Sequence, residues 1–559
     1  MKLKRDIVLL AVAIAVVTIA AFGPGVSGGF VSDDTQNVRD NPLLRSLDWG
    51  HLKAIFSSFD DANYIPVKVL SLAVDYSLWG PAPTGFHVTN ILLHVLCALL
   101  VFAILIRLEI PAVPACLAAL IWAVHPLQVE SVAWISERKN VLSGLFFLAA
   151  FLLYLSYSDT GRARTYVAIV ALFVLATLSK MNTMVLPALC LAYEMTFRFR
   201  LRRRDLQAAL PLLGIGAMVG WYNLSGNPIH GSSYHGGSSI VTWLSSSVVI
   251  FRYLGNTVLP VRLCTSYDVP LRDSLLDPPV LLSAMGLLIL GSVAFWCWRS
   301  KRREGFWILW FGITLVPMLN IIPFPSLMND RYMYLALVAP IGLAASLMGR
   351  LTLRPQPGRA AVIAAALAGA ICAGLSFARV GVFASDFSLW KDWALRNPYI
   401  ASDPRFIQAD FNAKVDFLRA AVNSNSPSAA AYNNLGALYF EAGQHREAIP
   451  LLESAVRLDP ECGPMLLNLG RACARSGDLI KARPILESAV RAAPYDFTGH
   501  LSLARVYLQT GDVLRARREL EACGRIRPSP ADAVSWEPER RYLSHLENGA
   551  TQPAPARNP

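Results

Sequence analysis

Between Ile7 and Ser32 the chain carries no charged side chain, and apolar stretches of similar kind recur down to about residue 383. A helix rises 1.5 Å per residue, so about 20 apolar residues cross the hydrocarbon core of a bilayer. Backbone polar groups in lipid must be satisfied internally, which leaves helices or closed barrels. Of the 559 residues, 54% are hydrophobic and only 16% charged, with a mean hydropathy of +0.41. Soluble domains carry about 25% charged residues. The reading is an all-α, polytopic membrane helix bundle. Lys2, Lys4 and Arg5 precede the first stretch as they would in a signal peptide, but the many later spans favour a retained helix.

Spans are predicted near 7–28, 86–106, 112–125, 141–157, 165–179, 183–197, 207–222, 278–298, 306–322, 332–349 and 360–383, about 11 in all. The formal charge of +12 suggests a nucleic-acid partner, yet the basic residues cluster in short loops between spans. With the N-terminus inside, the clusters 198–204, 299–303 and 350–359 all fall in the cytoplasm, as the positive-inside rule requires. The outer loops are then 29–85, 126–140, the junction at Lys180, 223–277 and 323–331. Residues 240–263 are apolar enough to span, but crossing there would reverse the charge pattern. Arg252, Asn256 and Arg262 suggest a helix lying at the outer interface. The nine cysteines have no metal spacing and read as small core residues, although Cys462 and Cys473 could pair.

Residues 1–384 form the membrane domain in this reading, followed by a helical connector over 385–428 that holds Trp390 and Trp393. A 34-residue repeat then occurs three times over 429–530. Leu435-Gly436, Leu469-Gly470 and Leu503-Ala504 align, as do Gly443, Gly477 and Gly511, and Pro460, Pro494 and Pro528. Small residues where paired helices touch, Gly at the turn and Pro at the end define a tetratricopeptide helical solenoid. Residues 531–559 read as a flexible tail.

Chemistry is sought among polar groups close to the membrane. Asp33-Asp34 follows the first span with little slack, where a general base could meet a lipid-borne substrate; capping of a helix over 35–39 is the bland alternative. His87, Asn90 and His94 share one helix face, facing either a functional cavity or a neighbouring helix. The loop His125–Asn140 interleaves polar and apolar residues. Its Glu130 could support the acidic pair or a metal, and its Arg138 has the forked donors that grip a phosphate. Lys180 adds positive charge at another outer junction, or snorkels. Arg331, in the run Asn329–Tyr334, opens a span where the helix dipole prefers anions, so a bound phosphate would suit it, as would Asp330. No Walker loop, dinucleotide glycine pattern, HExxH or GxSxG is present. A nucleotide-driven pump is therefore disfavoured, and a sugar donor with a lipid tail is preferred.

The stretches FVSDDTQNVRDNP, YIPVKVLSLAVDYSLWG, GFHVTNILLH, HPLQVESVAWISERKNVLSGLFF, LSKMNTMVLPAL and NDRYMYLALV, followed by the repeats, resemble the transmembrane and tetratricopeptide repeat-containing O-mannosyltransferases. These are GT-C class membrane glycosyltransferases. The resemblance implies a polyprenyl-phosphate sugar as donor, mannose or another hexose, and a Ser or Thr hydroxyl of an exported protein as acceptor. The family's acidic motif falls on Asp33-Asp34, its His-Pro loop on His125–Asn140 and its Arg-Tyr span start on Arg331–Tyr334. Met181 and Asp330 stand where the family often has Glu, and Glu137-Arg138 where many relatives have Gly-Arg. Short loops and a compact array suggest a bacterial member, placing the repeats in the periplasm and the bundle in the inner membrane.

The expected mechanism is inverting transfer. Asp33 or Asp34 takes the acceptor's proton, while Arg138, Lys180 and Arg331 hold the donor phosphate. His87, Asn90, His94, His125, Glu130 and Tyr334 support the site. Asn433, Arg471 and Arg505, on the first helix of each repeat, are candidate contacts for an acceptor backbone or merely solvated. No cofactor is required, although Asp33, Asp34 and Glu130 could hold Mg²⁺ or Mn²⁺. The competing readings are a lipid-linked oligosaccharide ligase or polymerase, and a non-enzymatic membrane-anchored repeat scaffold.

Overall fold

A computed structural model describes residues 2–526 and 538–541, apart from 61–62, 227–233, 262, 266, 268, 325, 353–356, 398–410 and 425–426. Helices supply the architecture, and no sheet occurs among the described residues. Among the described residues, six helices are long and apolar enough to cross a bilayer: Arg5–Ser27, Pro83–Arg107, Ile135–Thr160, Arg203–Ser225, Pro278–Arg299 and Arg359–Phe383. Two further candidates are bent pairs, Ala112–Ala123 with Pro126–Ala133 at 49°, and Asp330–Ala336 with Val338–Leu351 at 44°. The remaining predicted spans form shorter helices, Ala163–Ser179, Leu186–Tyr193 and Gly305–Leu315. Each predicted stretch contains a helix, while six to eight spans among the described residues meet the length of a full crossing.

The first bend has a local cause. Pro126 supplies no N–H, and His125 Nδ1 accepts from the Leu127 N–H at 3.2 Å, so one helix ends and another is capped. The 240–263 segment forms the helix Ser239–Val258, which is outside the set apolar enough to span. Val241, Ser245, Val249 and Tyr253 are buried along one face, while Ile240 and Trp243 are exposed.

The repeats fold as the pairs Ala429–Glu441 with His445–Leu458, Gly463–Arg475 with Leu479–Ala492, and Phe497–Gln509 with Val513–Ile526. Gly443, Gly477 and Gly511 adopt φ of +76°, +91° and +79° at the turns, where other residues would be strained. A Cβ on Gly470 would stand 2.6 Å from Leu486 Cγ, so these paired helices meet at the glycine. Gly470→Val is expected to destabilise the array by about 1–3 kcal/mol through overpacking. Thermal melting of the full chain checks this, and an unchanged transition would mean that the helices can separate freely.

The array continues further than its three pairs. Residues 538–541 are helical, and Glu539, 34 positions after Arg505, pairs with it at 2.9 Å. This part of the expected tail takes the register of a fourth first helix; the rest of 531–559 lies outside the described residues. At the other end, one continuous core joins the membrane helices to Trp390 and Trp393 of the connector and to Leu435 and Leu438 of the first repeat. Asn434 Nδ2 donates to Ala394 O at 2.7 Å and Asn397 O at 2.9 Å, clamping the connector. The third repeat touches the bundle too: the Tyr495 hydroxyl donates to Asp273 at 3.2 Å. Cys473 is buried in the repeat core without a disulfide.

Candidate active site

The first span ends in a short 3-10 turn, Gly23–Ser27, and the chain then turns sharply at Ser32, whose φ is +55°. That conformation is strained for a side chain. It is held from the junction of the last span with the connector: the Ser32 N–H donates to Asp386 Oδ1 at 2.6 Å, and the Gly29 N–H to Ala384 O at 2.9 Å. The turn sends Asp34 inward, where it is fully buried. Its Oδ2 accepts from the Val31 N–H at 3.0 Å and its Oδ1 from the Ser136 N–H at 2.7 Å. Its side chain caps no helix, so the bland alternative does not describe Asp34. Burial, and then the neighbouring Asp33 charge, push the Asp34 carboxyl up to about 7. Asp33 is half-buried and accepts from Asn37 Nδ2 at 3.2 Å.

Ser136 belongs to the loop that separates two helices, with Trp134 extended at ψ 118°. Neighbours in this loop face different ways. Glu137 lies on one side: its Oε1 is 3.1 Å from Lys139 Nζ and 3.4 Å from Arg331 Nε, and its Oε2 accepts from Asn140 Nδ2 at 2.6 Å. Arg331 also meets Glu130, through its guanidinium at 2.5 Å and its own N–H at 2.9 Å, and its guanidinium stands 5.7 Å from the Trp134 ring centre. Lys180 donates to Asn140 Oδ1 and faces the Tyr332 ring at 6.0 Å. Burial pushes its ammonium down to about 7, against the opposing pull of Glu137. Three cations, Lys139, Lys180 and Arg331, thus gather around two carboxylates. Arg331 and Lys139 stay about 20% exposed, so the cluster opens outward.

Arg138 lies on the other side. It is fully buried, 2.6 Å from Asp75, and donates to Asn90 Oδ1, to Ser71 Oγ at 3.1 Å and to Phe86 O at 2.9 Å. The sequence reading placed it among the phosphate ligands; the structure places it in a closed internal network. Asp75 is its partner and accepts from the Thr89 hydroxyl at 2.9 Å.

Most of the supporting residues hold helices together. Asn90 Nδ2 donates to Val132 O at 3.2 Å and reaches Trp134 O at 3.4 Å. His94 sits between the Tyr334 hydroxyl at 2.9 Å and Ala123 O at 2.8 Å, and His125 Nε2 donates to Thr257 O at 3.0 Å. His87 is buried against the Gly28 backbone beneath the acidic turn. Glu130 is committed to Arg331, so Asp33, Asp34 and Glu130 do not converge, and no cluster placed to hold a metal occurs among the described residues. Asp330 turns away from Arg331 and meets the Tyr267 hydroxyl at 2.7 Å and Arg379 at 3.0 Å. The dipole conflict at Arg331 is thus met by Glu130 and Glu137.

In the repeats, Asn433 is fully buried rather than exposed, and accepts from Asn468 Nδ2 at 3.0 Å between adjacent repeats. Arg505 is engaged by Glu539, while Arg471 is half-exposed, 5.0 Å from the Phe440 ring centre. Lys139, Glu137 and Asp386 were missed as site residues. The first two stood in the quoted loop, whereas nothing local marks Asp386.

Fold and site together define a multispanning membrane protein with a tetratricopeptide array. Tetratricopeptide repeat family models match residues 417–461, 433–497 and 498–522. The chain is 35% identical over 162 residues to protein O-mannosyl-transferase TMTC4 of Homo sapiens, covering 25% of this chain and 22% of that protein. It is 29% identical over 191 residues to protein O-mannosyl-transferase TMTC3 of Mus musculus, covering 32% and 20%. To protein O-mannosyl-transferase F38B6.6 of Caenorhabditis elegans it is 26% identical over 273 residues, covering 44% and 37%. The matched part spans between 20% and 37% of the length of these relatives.

Proposed function

We propose that the chain is an inverting membrane glycosyltransferase of the GT-C kind. It moves mannose or a related hexose from a polyprenyl-phosphate donor to Ser or Thr hydroxyls of an exported protein. The observation that carries this reading is the Ser136–Glu137 joint. Its Ser136 N–H holds buried Asp34 at 2.7 Å, and its Glu137 carboxylate gathers Lys139 and Arg331. An acidic pair and a cationic cluster are thereby tied to one short loop.

In the reaction the acceptor oxygen bonds to the anomeric carbon while its proton passes to Asp33. The bond from that carbon to the phosphate oxygen breaks, and the electron pair stays on the phosphate. Arg331, Lys139 and Lys180 meet the charge as it develops, where fixed positive groups are most effective. Asp34, with both oxygens held by backbone N–H groups, anchors the turn that presents Asp33. Arg138 positions the loop through Asp75. The scheme needs no cofactor. The N-terminus lies in the cytoplasm and the repeats on the outer face, the periplasm of a bacterial inner membrane, where they recruit the acceptor with the half-exposed Arg471 among the contacts.

The direct test supplies the reconstituted chain with radiolabelled polyprenyl-phosphate mannose and an unfolded Ser/Thr-rich acceptor. Label should enter the protein; no transfer from any polyprenyl-phosphate monosaccharide would overturn the proposal. The pH profile is a second check. Protonation of Asp34, whose carboxyl is pushed up to about 7, loosens the turn that presents Asp33 and sets the acid limb of kcat/KM, while Lys180, pushed down to about 7, sets the alkaline limb. Lys180→Arg keeps its charge above neutral pH and should move the alkaline limb up by more than about one unit. An unmoved limb would remove Lys180 from phosphate binding.

A further inference from the structure

A cavity of about 320 Å³ lies at the end of the bundle away from the acidic pair, where helix Pro83–Arg107 has finished. Leu108–Pro111 form one wall, and Phe197, Arg303, Glu304, Trp307 and Arg350 are among the others. Arg303 pairs with Glu109 at 2.5 Å and stands 5.2 Å from the Phe197 ring centre, yet keeps nearly half of its side-chain surface exposed. Glu304 is 9% exposed and gives its Oε1 to Arg350. No donor among the described residues reaches its Oε2, which is fully buried at atom level. A buried carboxylate oxygen without a donor is costly, so this one calls for a partner beyond the donors of the described residues.

The surroundings say what kind of partner fits. The basic run Arg299–Arg303 and the exposed Trp296 and Trp298 place this end at headgroup level. Leu347 and Leu351, one and five positions after Ser346 on the cavity wall, are exposed as lipid-facing residues are. The partner must therefore be a lipid headgroup carrying N–H donors for Glu304 and an anion for Arg303, whose five donors are not exhausted by one carboxylate.

We propose that this cavity binds the headgroup of a phosphatidylethanolamine-type lipid, its ammonium donating to Glu304 Oε2 and its phosphate meeting Arg303. The site is remote from the transfer site and does not depend on the proposed activity. Each N-methyl group added to the ammonium removes one donor, so a methylation series measures the contact on unaltered protein.

The full chain is presented with equal amounts of phosphatidylethanolamine, its N-methyl and N,N-dimethyl forms, phosphatidylcholine and phosphatidylglycerol, and retained lipid is counted by native mass spectrometry. Retention should fall along the methyl series, with phosphatidylethanolamine about tenfold above phosphatidylcholine, as losing a charge-assisted hydrogen bond implies. Glu304→Gln should abolish the preference while the melting temperature holds. If that variant unfolds, the methyl series on the unaltered chain decides alone. A flat series, or phosphatidylglycerol retained above phosphatidylethanolamine, overturns the proposal.

Discussion

Asp33→Asn is expected to lower sugar transfer by about 10²–10⁴-fold, the range of a lost general base, with little change in thermal unfolding. An amide at this position can still bond Asn37, which Asp33 meets at 3.2 Å, but it cannot take a proton from the acceptor. Asp34→Asn separates the second carboxylate's role from the first. Its amide nitrogen must face either the Val31 or the Ser136 N–H, donor against donor, so it should cost about 1–3 kcal/mol of stability as well as activity. Transfer assays paired with melting curves distinguish the two. Wild-type transfer by Asp33→Asn would leave the acidic turn a structural element and return the scaffold reading to first place.

Asp75→Asn is expected to have the largest effect on folding. Its carboxylate and Arg138 are 5% and 0% exposed, so removing one charge leaves the other buried and uncompensated, at a cost of about 3–5 kcal/mol. Transfer should fall with stability, because Arg138 steadies the loop from which Ser136 holds Asp34. Replacing both partners, Asp75→Leu with Arg138→Met, removes both charges and should restore much of the lost stability. A double variant as unstable as the single one would show that the Asn90, Ser71 and Phe86 contacts of Arg138, rather than the ion pair, hold the loop.

The helical class and the repeat array were legible because their signals are local. Gly443, Gly477 and Gly511 share a register and one backbone conformation. Roles within the outer loop were harder. Glu137, Arg138 and Lys139 are consecutive, and the helix break beside them removes the periodicity that would assign them faces. Arg138 consequently read as a phosphate ligand, although it faces Asp75 on the side away from the cluster of Glu137 and Lys139. The repeat register placed Asn433 on the first helix of its pair, but the next repeat covers it through Asn468. Asp386 carries no motif, and its hold on Ser32 exists only because the connector folds back onto the end of the first span.

Taken alone, the amino-acid order determined that the first two thirds form apolar helices and the last part stacks helix pairs, since transfer into lipid and helical periodicity belong to contiguous residues. Which charge meets which was decided by tertiary structure. Glu130 and Arg331 are 201 positions apart and Ser32 and Asp386 are 354 apart, so no spacing rule relates them. Their pairing depends on which helices pack together, and burial then makes each pairing obligatory, because a charge or polar group left alone in the interior is too costly to keep.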